Sequence, residues 1–111
     1  MTLSPTHDDA VRQLERLADR LRVVGPRLAA RDGQEAQDQL AAIRAGLQRL
    51  ADLAAEVDGG PSRKVPELAA FGLADQLLVL GHDLLGQVPG VRSDAFRAVA
   101  MEAIASIHRL V

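Results

Sequence analysis

Residues 34–57 carry the pattern that most constrains the fold of this chain. Charged and amide side chains fill one side of the repeat, and apolar side chains recur on the other at steps of three and four residues, at Leu40, Ile43, Leu47, Leu50, Leu53 and Val57. Because an α-helix turns once every 3.6 residues, this spacing gathers the apolar groups on one face. The segment is therefore predicted to be an amphipathic helix whose apolar face other helices must cover.

The same spacing recurs in three further segments, separated by glycine- and proline-rich breakers. The strongest breaker is Asp-Gly-Gly-Pro-Ser at residues 58–62. We therefore predict an all-α fold for a single domain of residues 1–111, an antiparallel four-helix bundle made of two helical hairpins. Hairpin 1 spans about 5–57, hairpin 2 spans about 66–111, and a linker at 58–65 joins them.

Local signals refine the ends of the first two helices. The first helix is expected to begin near Ser4 or Thr6, and Gly25-Pro26 is expected to kink or break it, because a proline inside a helix removes a hydrogen bond and clashes with the preceding turn. Asp32 and Glu35 have the spacing of a capping box, which predicts the start of the second helix.

Composition excludes several classes of function. The chain has 111 residues, 48% of them hydrophobic, a formal net charge of −2 and no cysteine. The hydrophobic fraction is enough for one core, and the net charge provides no overall positive field for nucleic acid. The absence of cysteine rules out disulfides and thiolate metal sites. We predict no cofactor and no metal, and no residue is predicted to be catalytic.

A membrane-spanning segment is not predicted either. The longest apolar run, Leu77–Leu80, is far shorter than the roughly 20 residues that cross a bilayer. The acidic residues near Met1 do not resemble a secretory signal, so we expect a cytoplasmic protein.

The second half of the chain is much less charged than the first. Of the 28 charged side chains, residues 66–111 hold eight. The third helix has a second apolar stripe besides its core stripe, and the fourth helix has displaced apolar residues of its own; together these are Phe71, Leu78, Leu85, Met101 and Ile104. A larger intramolecular core, a different protein or a second copy could cover them, and we favour a homodimer. The first functional hypothesis is therefore an interaction protein that self-associates through hairpin 2.

Two polar residues, Asp75 and His82, interrupt the second stripe of the third helix. If helices three and four are antiparallel about a turn near residue 88, Asp75 lies level with Glu102. These three residues are the candidate polar site of an alternative function, a small-ligand-binding or enzymatic bundle. Metal-binding bundles of the ferritin type use Glu-x-x-His repeats, which this sequence lacks.

The segment His82-Asp83-Leu84-Leu85-Gly86 is similar to the His-x-x-Lys-Gly element of histidine phosphotransfer domains, with Leu85 in the position of the lysine. Those domains are also four-helix proteins of about this length. The resemblance covers five residues and implies a second alternative function, in which His82 accepts a phosphoryl group.

A row of arginines follows the first helix, at positions 12, 16, 20, 27 and 31. Glu15 and Asp19 lie between them at spacings that allow ion pairs on a helix. The row is therefore interpreted as a solvated helix face, and nucleic acid is not predicted as a partner.

Overall fold

The computed structural model describes residues 6–86 and 93–111. Within these ranges the chain forms four α-helices and one 3₁₀ turn, with no strand. The helices are α1 (His7–Ala30), α2 (Gln34–Asp58), α3 (Leu73–Gly86) and α4 (Ser93–His108), and the 3₁₀ turn is Ala70–Gly72. The predicted all-α, four-helix bundle is confirmed. Among the described residues, none of the helices combines the length and the apolar character that a bilayer crossing requires.

Helix α1 begins at a reciprocal cap. The hydroxyl oxygen of Thr6 accepts a hydrogen bond from the backbone N–H of Asp9 (3.1 Å), and the Asp9 carboxylate accepts one from the backbone N–H of Thr6 (3.0 Å). The cap satisfies backbone donors that a helix start leaves free. Helix α2 begins differently, since its N-cap is Gly33 and no side chain caps it. The predicted capping box of Asp32 and Glu35 is therefore wrong.

Helix α1 is not broken at Gly25-Pro26, because it continues through Pro26 to Ala30. Pro26 lacks an N–H, so the carbonyl of Arg22 loses its helical donor. Burial of Leu28, beyond the proline, favours continuation of the helix. Gly25 is also buried, and a β-carbon there would lie 2.9 Å from the carbonyl oxygen of Ala70. A glycine at this point lets the 3₁₀ turn approach α1 closely.

One apolar core joins all four helices. Among the described residues it contains no polar or charged side chain. Its largest fully buried members are aliphatic: Leu14, Leu17, Leu21, Ile43, Leu47, Leu50, Leu73, Leu77, Leu84, Ile104 and Ile107. The α2 stripe on which the fold prediction rests contributes directly to this core.

The two halves of the chain interlock. The most extensive helix contacts are between α1 and α3, followed by those of α2 with α3 and with α4, whereas α3 and α4 contact each other least. The two helices of each predicted hairpin are thus not the closest neighbours in the bundle. This arrangement covers much of α3 with residues from the first half.

Side-chain contacts give the helix directions. Leu14 of α1 lies against Gly81 of α3, and Arg22, two turns later, lies 3.7 Å from Asp75, so α1 and α3 are antiparallel. Helices α2 and α4 are also antiparallel, because Gln39 donates to the Leu110 carbonyl whereas Gly46 faces Ile107.

Two further pairs of neighbouring helices are parallel. Leu47 and Gln76 line one groove, and Ala51 and Leu80, further along both helices, line another, so α2 and α3 run the same way. In α1 and α4, Gln13 donates to the Met101 carbonyl (3.3 Å) and Arg20 to the Val111 carbonyl (3.0 Å). The predicted antiparallel arrangement is therefore not confirmed for these pairs.

Because α2 and α3 are parallel, the chain must travel back along the bundle between them. Residues 59–69, which we call the return segment, do so beside α2. The Gln48 amide donates to the Arg63 carbonyl (2.9 Å) and accepts from the Val65 N–H (2.8 Å). One turn earlier, Arg44 donates to the Leu68 carbonyl (2.8 Å). The predicted linker, residues 58–65, is thus largely exposed but is joined to α2 by hydrogen bonds.

Candidate functional site: an apolar groove beside α3

The most exposed large apolar side chain of the described residues is Phe71, in the 3₁₀ turn before α3. It is 78% exposed, and Val79 and Leu68 are 69% and 46% exposed. Isolated exposed apolar residues are common, but these three line the same groove. Together they form an apolar patch whose exposure to water is unfavourable.

The groove, which we call the α3 groove, lies between the return segment, the 3₁₀ turn, α3 and Ala51 of α2. Its volume is about 730 Å³. The return segment adds Val65 and Pro66 to its lining, and the Gln76 amide donates to the Pro66 carbonyl (2.7 Å), which joins the two walls. The groove therefore exists only because the chain returns along α2.

Charged groups stand at the rim of the α3 groove. Arg63 and Lys64 are exposed cations on the return segment, and Asp75 is an exposed anion on α3. Asp75 lies 3.7 Å from Arg22, and because both side chains are largely exposed this pair contributes little to stability. The rim thus presents both signs of charge.

The predicted interface residues do not form one surface. Phe71 is exposed and Leu78 is partly buried, but Leu85 and Ile104 are only 3% and 0% exposed within the single chain. Met101 is partly exposed, in a separate groove between α1 and α4. The apolar core of the single chain therefore buries Leu85 and Ile104, which the sequence analysis assigns to the interface.

Leu68 and Val79 belong to the exposed patch but were not predicted. Leu68 lies near the start of predicted hairpin 2, at about residue 66, whereas the structure places it in the non-helical return segment and begins α3 at Leu73. Val79 lies within the apolar run of α3, where periodicity does not separate an exposed from a buried side chain.

The three residues of the predicted polar site are separated. Asp75 lines the α3 groove, whereas Glu102 lines the groove between α1 and α4. His82 is exposed on α3 and lines neither groove. Glu102 is instead paired with Arg109 at 2.8 Å, and this hydrogen bond holds the pKa of Glu102 below its ordinary value. The described residues do not bring the three groups together for acid–base chemistry.

The groove between α1 and α4, which we call the α1/α4 groove, has a volume of about 690 Å³ and more polar walls than the α3 groove. Arg12 and Arg16 line it from α1, and His108 lines it from α4. Within residues 6–86 and 93–111, no group of three or more histidine, aspartate or glutamate side chains is arranged to hold a metal ion.

Comparison of the chain with protein-family models, curated proteins and solved structures gives no match.

Proposed function

We propose that this protein is a helical interaction module that pairs with a second copy of itself through the α3 groove. The observation that carries the proposal is the 78% exposure of Phe71 beside Val79 and Leu68. Burial of these side chains would release about 25 cal/mol for each Å² of apolar surface removed from water. The proposal keeps the self-association predicted from the sequence and moves the interface to the return segment and α3. A cytoplasmic location remains an expectation from the sequence.

Charge favours a second copy over an unrelated partner. The groove carries exposed cations at Arg63 and Lys64 and an exposed anion at Asp75. In a two-fold dimer both copies use the same surface, so if one residue contacts a second residue across the interface, the reverse contact is also made. The cations of each copy can therefore face the anion of the other, and the apolar residues between them can pack together.

The size of the patch indicates a weak dimer. Stable complexes bury about 800 Å² per partner, which is more than a few side chains can supply. Much of the groove lining must take part, and association must overcome the loss of translational and rotational freedom. We therefore expect dissociation at concentrations of about 1–100 μM, the range of transient complexes.

The test is the molar mass of the protein as a function of concentration, by light scattering and analytical ultracentrifugation. The unchanged protein is expected to pass from monomer to dimer, and Phe71→Ser and Val79→Ser are expected to remain monomeric. Val99→Ser is the matched control, since Val99 is 43% exposed on α4 and lies outside the groove. A monomer at every concentration up to 1 mM, or an equal effect of the control, would contradict the proposal.

The two alternative functions gain less support. The ligand-binding or enzymatic alternative needs Asp75 and Glu102 in one site, and they line different grooves. Phosphotransfer needs an accessible histidine, and His82 is exposed. However, the position that holds a lysine in histidine phosphotransfer domains is occupied here by Leu85, which is buried. Phosphorylation of His82 remains an untested prediction.

A further inference from the structure

A second site is suggested by the charges of the α1/α4 groove. Arg12 and Arg16 are one turn apart on α1, both exposed, and both line the groove. Because α1 and α4 are parallel neighbours, the groove also receives His108 near the C-terminal end of α4. The groove therefore holds two arginines and a histidine beside two carboxylates, Asp9 and Glu102.

The two carboxylates of this groove are already engaged. Asp9 accepts hydrogen bonds from Thr6 in the cap, and these bonds hold the pKa of Asp9 below its ordinary value. Glu102 accepts a hydrogen bond from Arg109 at 2.8 Å. The hydrogen bonds of Asp9 come from Thr6 and the close ion pair of Glu102 is with Arg109, although the charge of Arg12 also lowers the pKa of Asp9.

The two α1 arginines lack ion pairs. Sequence spacing predicts that Glu15 and Asp19 neutralise this row, but Asp19 pairs with Arg22 at 3.0 Å instead. Within the described ranges, neither Arg12 nor Arg16 lies within 4.0 Å of a carboxylate oxygen. Neither guanidinium group is thus held in a close ion pair, and both are exposed to solvent, where an external anion can reach them.

Part of the α4 side of the groove is apolar. This part is formed by Ala98, Met101 and Ala105, at one-turn intervals on α4, and Glu102 and His108 lie beside it. Gln13 of α1 ties the two helices together by donating to the Met101 carbonyl (3.3 Å). A ligand held by the arginines would place its remaining atoms against this wall.

We infer that the α1/α4 groove binds a phosphate monoester that carries a compact apolar group. A phosphate monoester has a charge of about −1.5 to −2 at neutral pH, which two guanidinium groups match better than they match a carboxylate. Arginine binds phosphate oxygens in a bidentate geometry, which adds specificity. The apolar group packs on Met101 and its neighbouring alanines. This inference is independent of the self-association.

The probe is phenyl phosphate, and the readout is the ¹³C-methyl signal of Met101 in protein labelled at methionine. The chain has two methionines, so Met1 provides an internal reference. The Met101 signal is expected to shift in a saturable manner, and inorganic phosphate and phenol are each expected to bind at least tenfold more weakly. Equal binding of inorganic phosphate and phenyl phosphate, or no saturable shift, would overturn the inference.

Three variants test the assignment of the arginines. Arg16→Gln removes a charge-assisted contact and is expected to weaken phenyl phosphate binding about tenfold. Arg27→Gln, an exposed site on α1 outside the groove, is expected to leave it unchanged. Glu102→Gln removes an anion from the groove wall and releases Arg109, so binding is expected to tighten. If Arg27→Gln weakens binding as much as Arg16→Gln, or Glu102→Gln weakens it, the groove is not the binding site.

Discussion

The backbone N–H of Val65 donates a 2.8 Å hydrogen bond to the side-chain carbonyl oxygen of Gln48. The Nε2 group of the Gln48 side chain donates to the Arg63 carbonyl at 2.9 Å, so this one side chain of α2 binds two peptide groups of the return segment. This contact helps to shape the candidate site, because the return segment forms one wall of the α3 groove.

Gln48→Ala is therefore expected to loosen the return segment. The variant leaves a partly buried N–H and a carbonyl without their partner, at a cost of about 1–2 kcal/mol in the free energy of unfolding. Amide hydrogen exchange at Val65 should accelerate more than exchange in the helix cores. Gln37→Ala is the control, since Gln37 is an exposed glutamine on the same helix. The proposed role of Gln48 is wrong if the two variants lose equal stability.

Gly81→Ala tests the close packing of α1 on α3. A β-carbon at Gly81 would overlap the side chain of Leu14, which is fully buried and cannot move into solvent. Overpacking of this kind costs about 1–3 kcal/mol, which exceeds the gain of up to about 1 kcal/mol from replacing a helical glycine by alanine. Chemical denaturation measures the difference.

The same substitution at Gly86 is the matched control. Gly86 belongs to α3, and no atom would lie within 4 Å of an added β-carbon. Gly86→Ala is expected to be neutral or stabilising. A stabilising Gly81→Ala would contradict the α1–α3 contact.

Helical segments and much of the core follow from local sequence. The α2 stripe is buried at Leu40, Ile43, Leu47 and Leu50, as its spacing predicts, because periodicity reports which face of a helix leaves water. Periodicity does not report which helix covers that face. The sequence therefore places Leu85 on an interface stripe, whereas it is 3% exposed in the single chain, in which α3 contacts α1 and α2 more extensively than α4.

The candidate site was predictable only in part, for a related reason. Phe71 was identified because it falls on a second apolar stripe. The groove around it depends on the path of the return segment, which is fixed by long-range hydrogen bonds such as those of Gln48 and Arg44. Sequence patterns over one or two helical turns carry no information about those bonds.

The cap of α1 should make stability depend on pH. The backbone and hydroxyl of Thr6 lower the pKa of Asp9 below its ordinary value. A carboxyl whose pKa is lower in the folded state stabilises the fold above its unfolded pKa, and this contribution is lost as the pH falls through the folded pKa. The unchanged protein is therefore expected to have a larger free energy of unfolding than Asp9→Asn at pH 6. This difference should shrink as the pH falls through and below about 4.

Urea denaturation at several pH values measures this effect. Thr6→Ser keeps the hydroxyl and the backbone donor, so it should retain the pH dependence of the unchanged protein. A constant difference between the unchanged protein and Asp9→Asn from pH 6 to pH 2 would show that the cap does not depend on the charge of Asp9.

Charge reversal at the rim of the α3 groove distinguishes a second copy from any other partner. Lys64→Glu and Asp75→Lys each place like charges opposite one another in a two-fold dimer, and each is expected to weaken self-association at least tenfold.

An equimolar mixture of the two variants creates a heterodimer in which Glu faces Lys at one contact and Lys faces Asp at the other. Association should return to within a few-fold of the unchanged protein, as measured by sedimentation velocity. Arg31→Glu, a charge reversal outside the groove, should not respond to mixing. Only a partner that carries the same groove can produce this restoration, so weak association of both variants with no recovery in the mixture would contradict the two-fold pairing of Lys64 with Asp75.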